Sequence, residues 1–281
     1  MDGETRLKRG REVVEILLDV VNPEKTPHLS MTDRFILVLF EMGIATREQI
    51  AAVSGWSRNQ VAGAIQRARA MGGNPEEWVR SWSYSKNKPS VYALGEAGVV
   101  HARQLRGEYD GDERRKRPVA GQVYHFLGTN NILVRLLKSG MEVSEWLSGK
   151  GVASFLYNEL LVRTEPGKLE RRPSPVRPDA MVTVNESCVL VEYDAGTEGA
   201  PRLTEKFSRY LDLANMMAIP PVLFVTVSES RRETAVRAFE RALERYPNPE
   251  TLGENLPDVL FCVEGEEPEY LRTYLGISGR A

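Results

Sequence analysis

The stretch CVLVEYDAGTEG, Cys188–Gly199, constrains this chain more than any other. It begins as a run of small and β-branched apolar residues, the composition of a buried strand. Glu192 and Asp194 interrupt the run, and Gly196 ends it in a turn. Residues two apart in a strand face the same side, so the two carboxylates project together from an otherwise apolar segment. Burying them is costly unless a group of opposite charge meets them. A third carboxylate, Asp179, follows Pro178 at the start of the preceding strand-like run, RPDAMVTVN. If the two runs pair as a hairpin, Asp179 lies across from the end of the second. Three acids then meet at one corner of a sheet. A divalent cation such as Mg²⁺ relieves both their repulsion and their lost solvation, because hard carboxylate oxygens suit it.

Around this hairpin the pattern alternates between helix and strand. VYHFLGTNNILVRLLKSG reads as a helix, and EVSEWLSG as the start of a strand. ASFLYNELLVR fits either a strand or a helix-to-strand transition. PRLTEKFSRYLDLANMM and SRRETAVRAFERALERY are amphipathic helices, with PPVLFVTVS and DVLFCVE as buried strands. The order implies a central mixed sheet with helices against it. Lys206 shares a helix stripe with Leu203, Phe207 and Tyr210. Its head either reaches the acidic corner or runs out to water along an apolar stem. Thr197 is a candidate cap for the helix that follows, and Glu198 and Glu159 are further candidate acids for the corner.

The first half reads differently. MTDRFILVLFEMG opens with Thr32 or Asp33 as a helix cap and stops at Gly43. In TREQIAAVSG, Thr46 and Gln49 match a capping box. Ser57 caps a third helix, with Val61, Ala64, Ile65 and Ala68 on one face. WVRSWSYS and PSVYALGEAG then read as two strands of a hairpin. Three helices and a hairpin resemble winged helix-turn-helix DNA-binding domains. That resemblance implies double-stranded DNA as partner, with Ser57, Arg58, Asn59, Gln60 and Arg67 on the third helix and Lys86 and Lys88 at the wing tip. Arg, Asn and Gln are the side chains that read base edges or hold phosphates. A solvated face on a protein-binding module is the alternative for the same residues.

Polar composition divides the chain into a helical extension over 1–30, the helix-turn-helix block over 31–105, a basic linker over 106–118 and the mixed-sheet block over 119–281. The linker carries Arg114, Arg115, Lys116 and Arg117, offset by Asp110, Asp112 and Glu113. Net charge is only −2, so affinity for nucleic acid has to come from local patches. Cys188 and Cys262 sit in apolar runs without a CxxC or Cys/His neighbourhood. They read as reduced thiols of a cytoplasmic protein rather than zinc ligands or a disulfide. The N-terminal sequence is charged throughout and has no signal-peptide or membrane-spanning run. Neither a membrane nor a small-molecule cofactor is expected, and the N-terminal helix offers a surface for a homodimer.

RPDA and VEYD resemble the signature of the PD-(D/E)XK nucleases, with Asp179 and Glu192 in place and Asp194 where that family has its lysine. The resemblance implies a restriction-endonuclease-like mixed-sheet domain, a Mg²⁺ site of Asp179, Glu192 and Asp194, and Lys206 as a relocated catalytic lysine. Over about residues 31–224 the chain is similar to the replication-relaxation family of plasmids and integrative elements, on YHFLGTNNILVRLL, RPDA, VEYDAGTEG and KFSRYLDL. His125 and Asn130 fall in the first of these. The fold class expected is α+β overall. Three roles are open: a DNA-binding replication and relaxation protein with a nuclease-like domain that does not cut, an active Mg²⁺-dependent endonuclease, and a transcription regulator whose second domain dimerises.

Overall fold

The computed structural model describes residues 17–107, 120–163, 176–247, 250 and 252–277. Most of the N-terminal extension and the basic cluster at Arg114–Arg117 lie outside the described residues. The fold is α+β, and the chain divides into two compact units, Met1–Val134 and Arg135–Ala281. The division falls inside a helix, between Val134 and Arg135.

In the first unit, side-chain caps set where helices begin. α1 is Leu17–Val21 and α2 is Met31–Met42. The cap of α2 is Ser30, not Thr32 or Asp33. Its hydroxyl accepts from Asp33 N–H and the Asp33 carboxylate returns to Ser30 N–H. Asp33 therefore sits three residues inside the box, where an acid also suits the positive end of the helix. The Thr46–Gln49 box starts α3, Arg47–Ser54, and the Ser57–Gln60 box starts α4, Arg58–Arg69. A short helix α5, Pro75–Trp78, leads into β2, Val79–Trp82, and β3, Val91–Leu94. β1, only Ala45–Thr46, adds to β3, so the sheet order is β1-β3-β2, all antiparallel. α6, Glu96–Leu105, follows.

α7, Ala120–Lys138, contributes its N-terminal part to this unit. Val123 and Leu127 pack with Ile44, Val91 and Ala93. Gln49 completes its own cap and also donates to Leu127 O at 2.8 Å and Asn131 Oδ1 at 2.7 Å. Asn130 donates to Met42 O at 3.1 Å and Ile44 O at 2.8 Å, on either side of Gly43. Gly43 has φ +69°, and the Phe126 ring stands 2.7 Å from where a Cβ would be. The positive φ is what favours glycine there, since the exposed Phe126 ring can move aside.

The second unit is one five-stranded sheet. β4 is Val143–Ser148, β5 Ala180–Val184, β6 Ser187–Asp194, β7 Val222–Thr226 and β8 Val259–Val263, in spatial order β4-β5-β6-β7-β8. β4, β5 and β6 are antiparallel, whereas β6, β7 and β8 are parallel. The ambiguous ASFLYNELLVR segment is helix α8, Gly149–Arg163. Val152, Leu156 and Leu160 recur at helical spacing and are buried with Met181 and Leu190. α9, Ala200–Ala214, and α10, Glu229–Arg245, cover the face bearing Phe224, where Phe207, Phe224, Phe239 and Phe261 stack with centroids 5.1 to 6.0 Å apart. A last helix, α11, Glu267–Leu275, begins at fully buried Glu267, whose carboxylate accepts from Arg135 Nε at 2.9 Å.

Asn130→Ala would take its donor from Ile44 O, while Met42 O keeps its bond from Ile44 N–H at 2.8 Å, and one unsatisfied buried group costs about 1–3 kcal/mol. The expected loss is about 1–3 kcal/mol, read as a lower urea midpoint at unchanged slope.

Candidate functional site

β6 is the middle strand, and every residue from Val189 to Asp194 is buried. Leu190, Glu192 and Asp194 align with Val222, Phe224 and Thr226 of β7 and so share the face covered by α9 and α10. Glu192 is thus held in an apolar interior. Two side chains of α9, one helical turn apart, meet its carboxylate: Lys206 Nζ donates to Oε2 at 3.0 Å and Tyr210 Oη donates to Oε1 at 2.7 Å. The Lys206 head therefore reaches the acids instead of water. It also lies 3.4 Å from Glu198 Oε2, an ion-pair distance without hydrogen-bond geometry.

Asp179 stands just ahead of β5. Its N–H donates to Val191 O at 3.0 Å, and its carboxylate accepts from Tyr193 N–H at 2.8 Å. That continues the antiparallel pairing by one residue and brings Asp179 beside Glu192. Burial, then the Asp179 charge, push the Glu192 carboxyl up to about 7, with Lys206 and Tyr210 acting in the opposite sense. Burial alone would lower the Lys206 ammonium, but Glu192, Asp179 and Glu198 outweigh it and raise it. Tyr210 is raised by its burial and by Glu192.

Asp194 takes a different partner. Arg231, in the first turn of α10, grips it with two N–H groups, Nε to Oδ2 and Nη2 to Oδ1, the latter at 3.0 Å. Arg231 also donates to Glu198 O. Asp194 Oδ1 accepts from Gly196 N–H at 3.0 Å, which closes the turn where Gly196 has φ +78°. Two-point guanidinium–carboxylate contact is the strong form of ion pair. Gly199 occupies the cap of α9 with no side-chain hydrogen bond, so Thr197 does not cap it. Glu159 lies on α8.

Mg²⁺ demands several hard oxygen donors in near-octahedral array. Among the described residues there is no group of three or more His, Cys, Asp or Glu side chains able to hold a metal ion. The expected set divides instead. Asp179 and Glu192 share one corner with Lys206, while Asp194 is turned to Arg231. Mg²⁺ usually keeps several waters and takes one or two carboxylates, so Asp179 and Glu192 would be the pair to hold it, with the Glu192 oxygens already hydrogen-bonded by Lys206 and Tyr210. Arg231 was hidden in the sequence because it comes from the far side of a parallel crossover. Its only signal was a pair of arginines at a helix start just beyond a strand end.

The residues expected to touch DNA fall into two sets. Arg58 and Asn59 are exposed in the first turn of α4, and Lys86 and Lys88 are exposed around Asn87, which has φ +65° at the β2–β3 turn. Arg58 lies 3.9 Å from Glu48, with both side chains largely in solvent, where such a pair is worth little. Ser57 and Gln60 are also exposed, but they hold each other in the capping box. Arg67 bends back to Thr32 Oγ1 and Met31 Sδ, each at 3.4 Å. Arg69 ties α4 to β2 through Val79 O at 2.9 Å and Ser81 Oγ at 2.8 Å.

An α+β chain with a helical, hairpin-bearing first unit and a mixed sheet carrying paired carboxylates thus stands defined. It belongs to the replication-relaxation family, whose model matches residues 37–221, and that membership links it to replication. No curated protein and no solved structure matches the chain. No helix among the described residues is long and apolar enough to cross a membrane.

Glu192 generates a pH dependence with a definite sign. Its folded value, about 7, lies above the ordinary 4.5. The folded protein therefore holds a proton that the unfolded chain releases, and stability contributed below the lower value is lost as pH rises through that window. Urea midpoints of the wild type should fall from pH 4.5 to 7 relative to Glu192→Gln. Parallel pH curves for the two proteins would refute the assignment.

Proposed function

We propose that this chain is a DNA-binding protein acting in the replication and relaxation of a plasmid or other mobile element. In this reading the first unit is a winged helix that docks on duplex DNA. The second is a PD-(D/E)XK-like domain that contributes contacts or an interface without cutting. The observation that carries the first part is the surface at the start of α4. Arg58 and Asn59 are presented to solvent by a helix whose cap is fixed by its neighbours, and a hairpin turn with Lys86 and Lys88 follows in the same unit. Arg and Asn in that position suit base edges, and the lysines suit phosphates. DNA as partner agrees with a cytoplasmic protein.

The absence of cutting is supported by the acidic corner. Asp194, at the position of the family's lysine, is bound by Arg231, and Glu192 is already bound by Lys206 and Tyr210. One observation favours the alternative of an active endonuclease. Lys206 does reach Glu192, as a relocated catalytic lysine would.

Two assays test this. Arg58→Ala/Asn59→Ala should weaken duplex binding by about 1–3 kcal/mol, while Lys86→Ala/Lys88→Ala should flatten the slope of log K against log salt by about 2. Wild-type protein that fails to bind duplex DNA at low salt refutes the DNA reading. Supercoiled plasmid with Mg²⁺ or Mn²⁺ should stay uncut. Nicking or linearisation that Asp179→Ala abolishes would select the endonuclease instead.

A further inference from the structure

Beside the β2–β3 turn, Tyr84 and Tyr124 form an edge-to-face pair with centroids 5.3 Å apart and planes at 84°. The two rings come from separate elements. Tyr84 lies just past β2 and packs against the Ile44, Val91, Ala93, Val123 and Leu127 cluster. Tyr124 is in the first turns of α7 and is 47% exposed. An edge-to-face pair leaves a ring face for a third aromatic group. From Ser83 to Ser90 the chain carries two lysines, Lys86 and Lys88, and no carboxylate. The place thus offers an exposed ring on a firm base beside concentrated positive charge.

We infer that Tyr124, braced by Tyr84, is a stacking platform for an unpaired base of single-stranded DNA, with Lys86 and Lys88 on the adjoining phosphates. A nucleotide is a ligand that combines a flat aromatic group with an anion. The base must be unpaired, because within a duplex both its faces are covered by its neighbours. Proteins that hold single strands combine these two features, and each stacked base contributes substantially and with little regard to sequence. The inference rests on the DNA-binding reading and adds to it a preference for locally melted DNA. A replication protein meets such DNA wherever strands are opened.

The test uses the full chain and two fluorescent DNAs of one length, a paired duplex and the same duplex with a central unpaired bubble carrying 2-aminopurine. Wild type should bind the bubble more tightly and quench the 2-aminopurine. Tyr124→Ala should lose about five-fold or more of bubble affinity, the range of one stacked base, together with the quench, and should keep its duplex affinity. Tyr124→Phe should behave as wild type, since it keeps the ring. A thermal melt checks folding, and Tyr84→Leu gives a second variant that removes the brace. Equal wild-type affinity for the two DNAs overturns the inference and leaves the DNA-binding reading standing. An equal loss on both DNAs in Tyr124→Ala does so too, as does a Phe variant as weak as Ala. A wild type that binds neither DNA brings down the DNA-binding reading itself.

Discussion

A carboxylate in the middle of a buried sheet has to be answered by a charge, and in this protein Lys206 answers Glu192. Much of the second unit's arrangement follows from that contact. Lys206 and Tyr210 lie one turn apart on α9 and hold the two oxygens of one carboxylate. This fixes the helix along and around its axis over β6. Phe207, between them in sequence, is set against Phe224 and joins the aromatic cluster that seats α10. α10 starts with Arg231 on Asp194, two residues further along the same strand face. The strand thus marks its two covering helices with one acid each. Breaking either contact would leave a buried charge alone, which costs far more than the intact pair contributes.

The first unit is organised by side chains that serve two purposes. Gln49 closes the cap of α3 and also reaches α7. Asn130 donates to the carbonyls on either side of Gly43, whose positive φ favours glycine. The Asn130 in the YHFLGTNNILVRLL motif therefore has a structural explanation. Ser57 and Gln60 define the start of α4, and Arg69 anchors its end to β2. Arg58 and Asn59 are left facing outward from a helix that cannot easily shift.

Local signals were legible wherever the physics is local. The Thr46–Gln49 and Ser57–Gln60 boxes, the stop at Gly43 and the turn at Gly196 are decided by near neighbours in the chain. The long periodic helices and the apolar runs of β6 and β7 were equally plain. Shorter or balanced signals were not. α8 mixes Phe, Tyr and Val with helix formers, and only packing of Val152, Leu156 and Leu160 on the sheet selects the helix. β1 is two residues long and exists because β3 lies beside it. Around Ser30 the sequence offers Thr32 and Asp33 as competing caps, and only the Asp33 N–H contact with the Ser30 hydroxyl decides between them.

By itself the sequence determined that Glu192 and Asp194 share one face of a buried strand, since a period of two follows from backbone geometry alone. It also determined that Lys206 and Tyr210 lie on one helical face, and that Asp179 opens the neighbouring strand. Which cation meets which acid was decided by the tertiary structure. Pairing across the parallel β6–β7 crossover brings α10 to Asp194, and the seat of α9 carries Lys206 past the snorkelling position to Glu192. Those are long-range placements, set by how apolar faces fit together, and no interval along the chain encodes them. For the same reason the acids take different positive partners, Lys206 for Glu192 and Arg231 for Asp194.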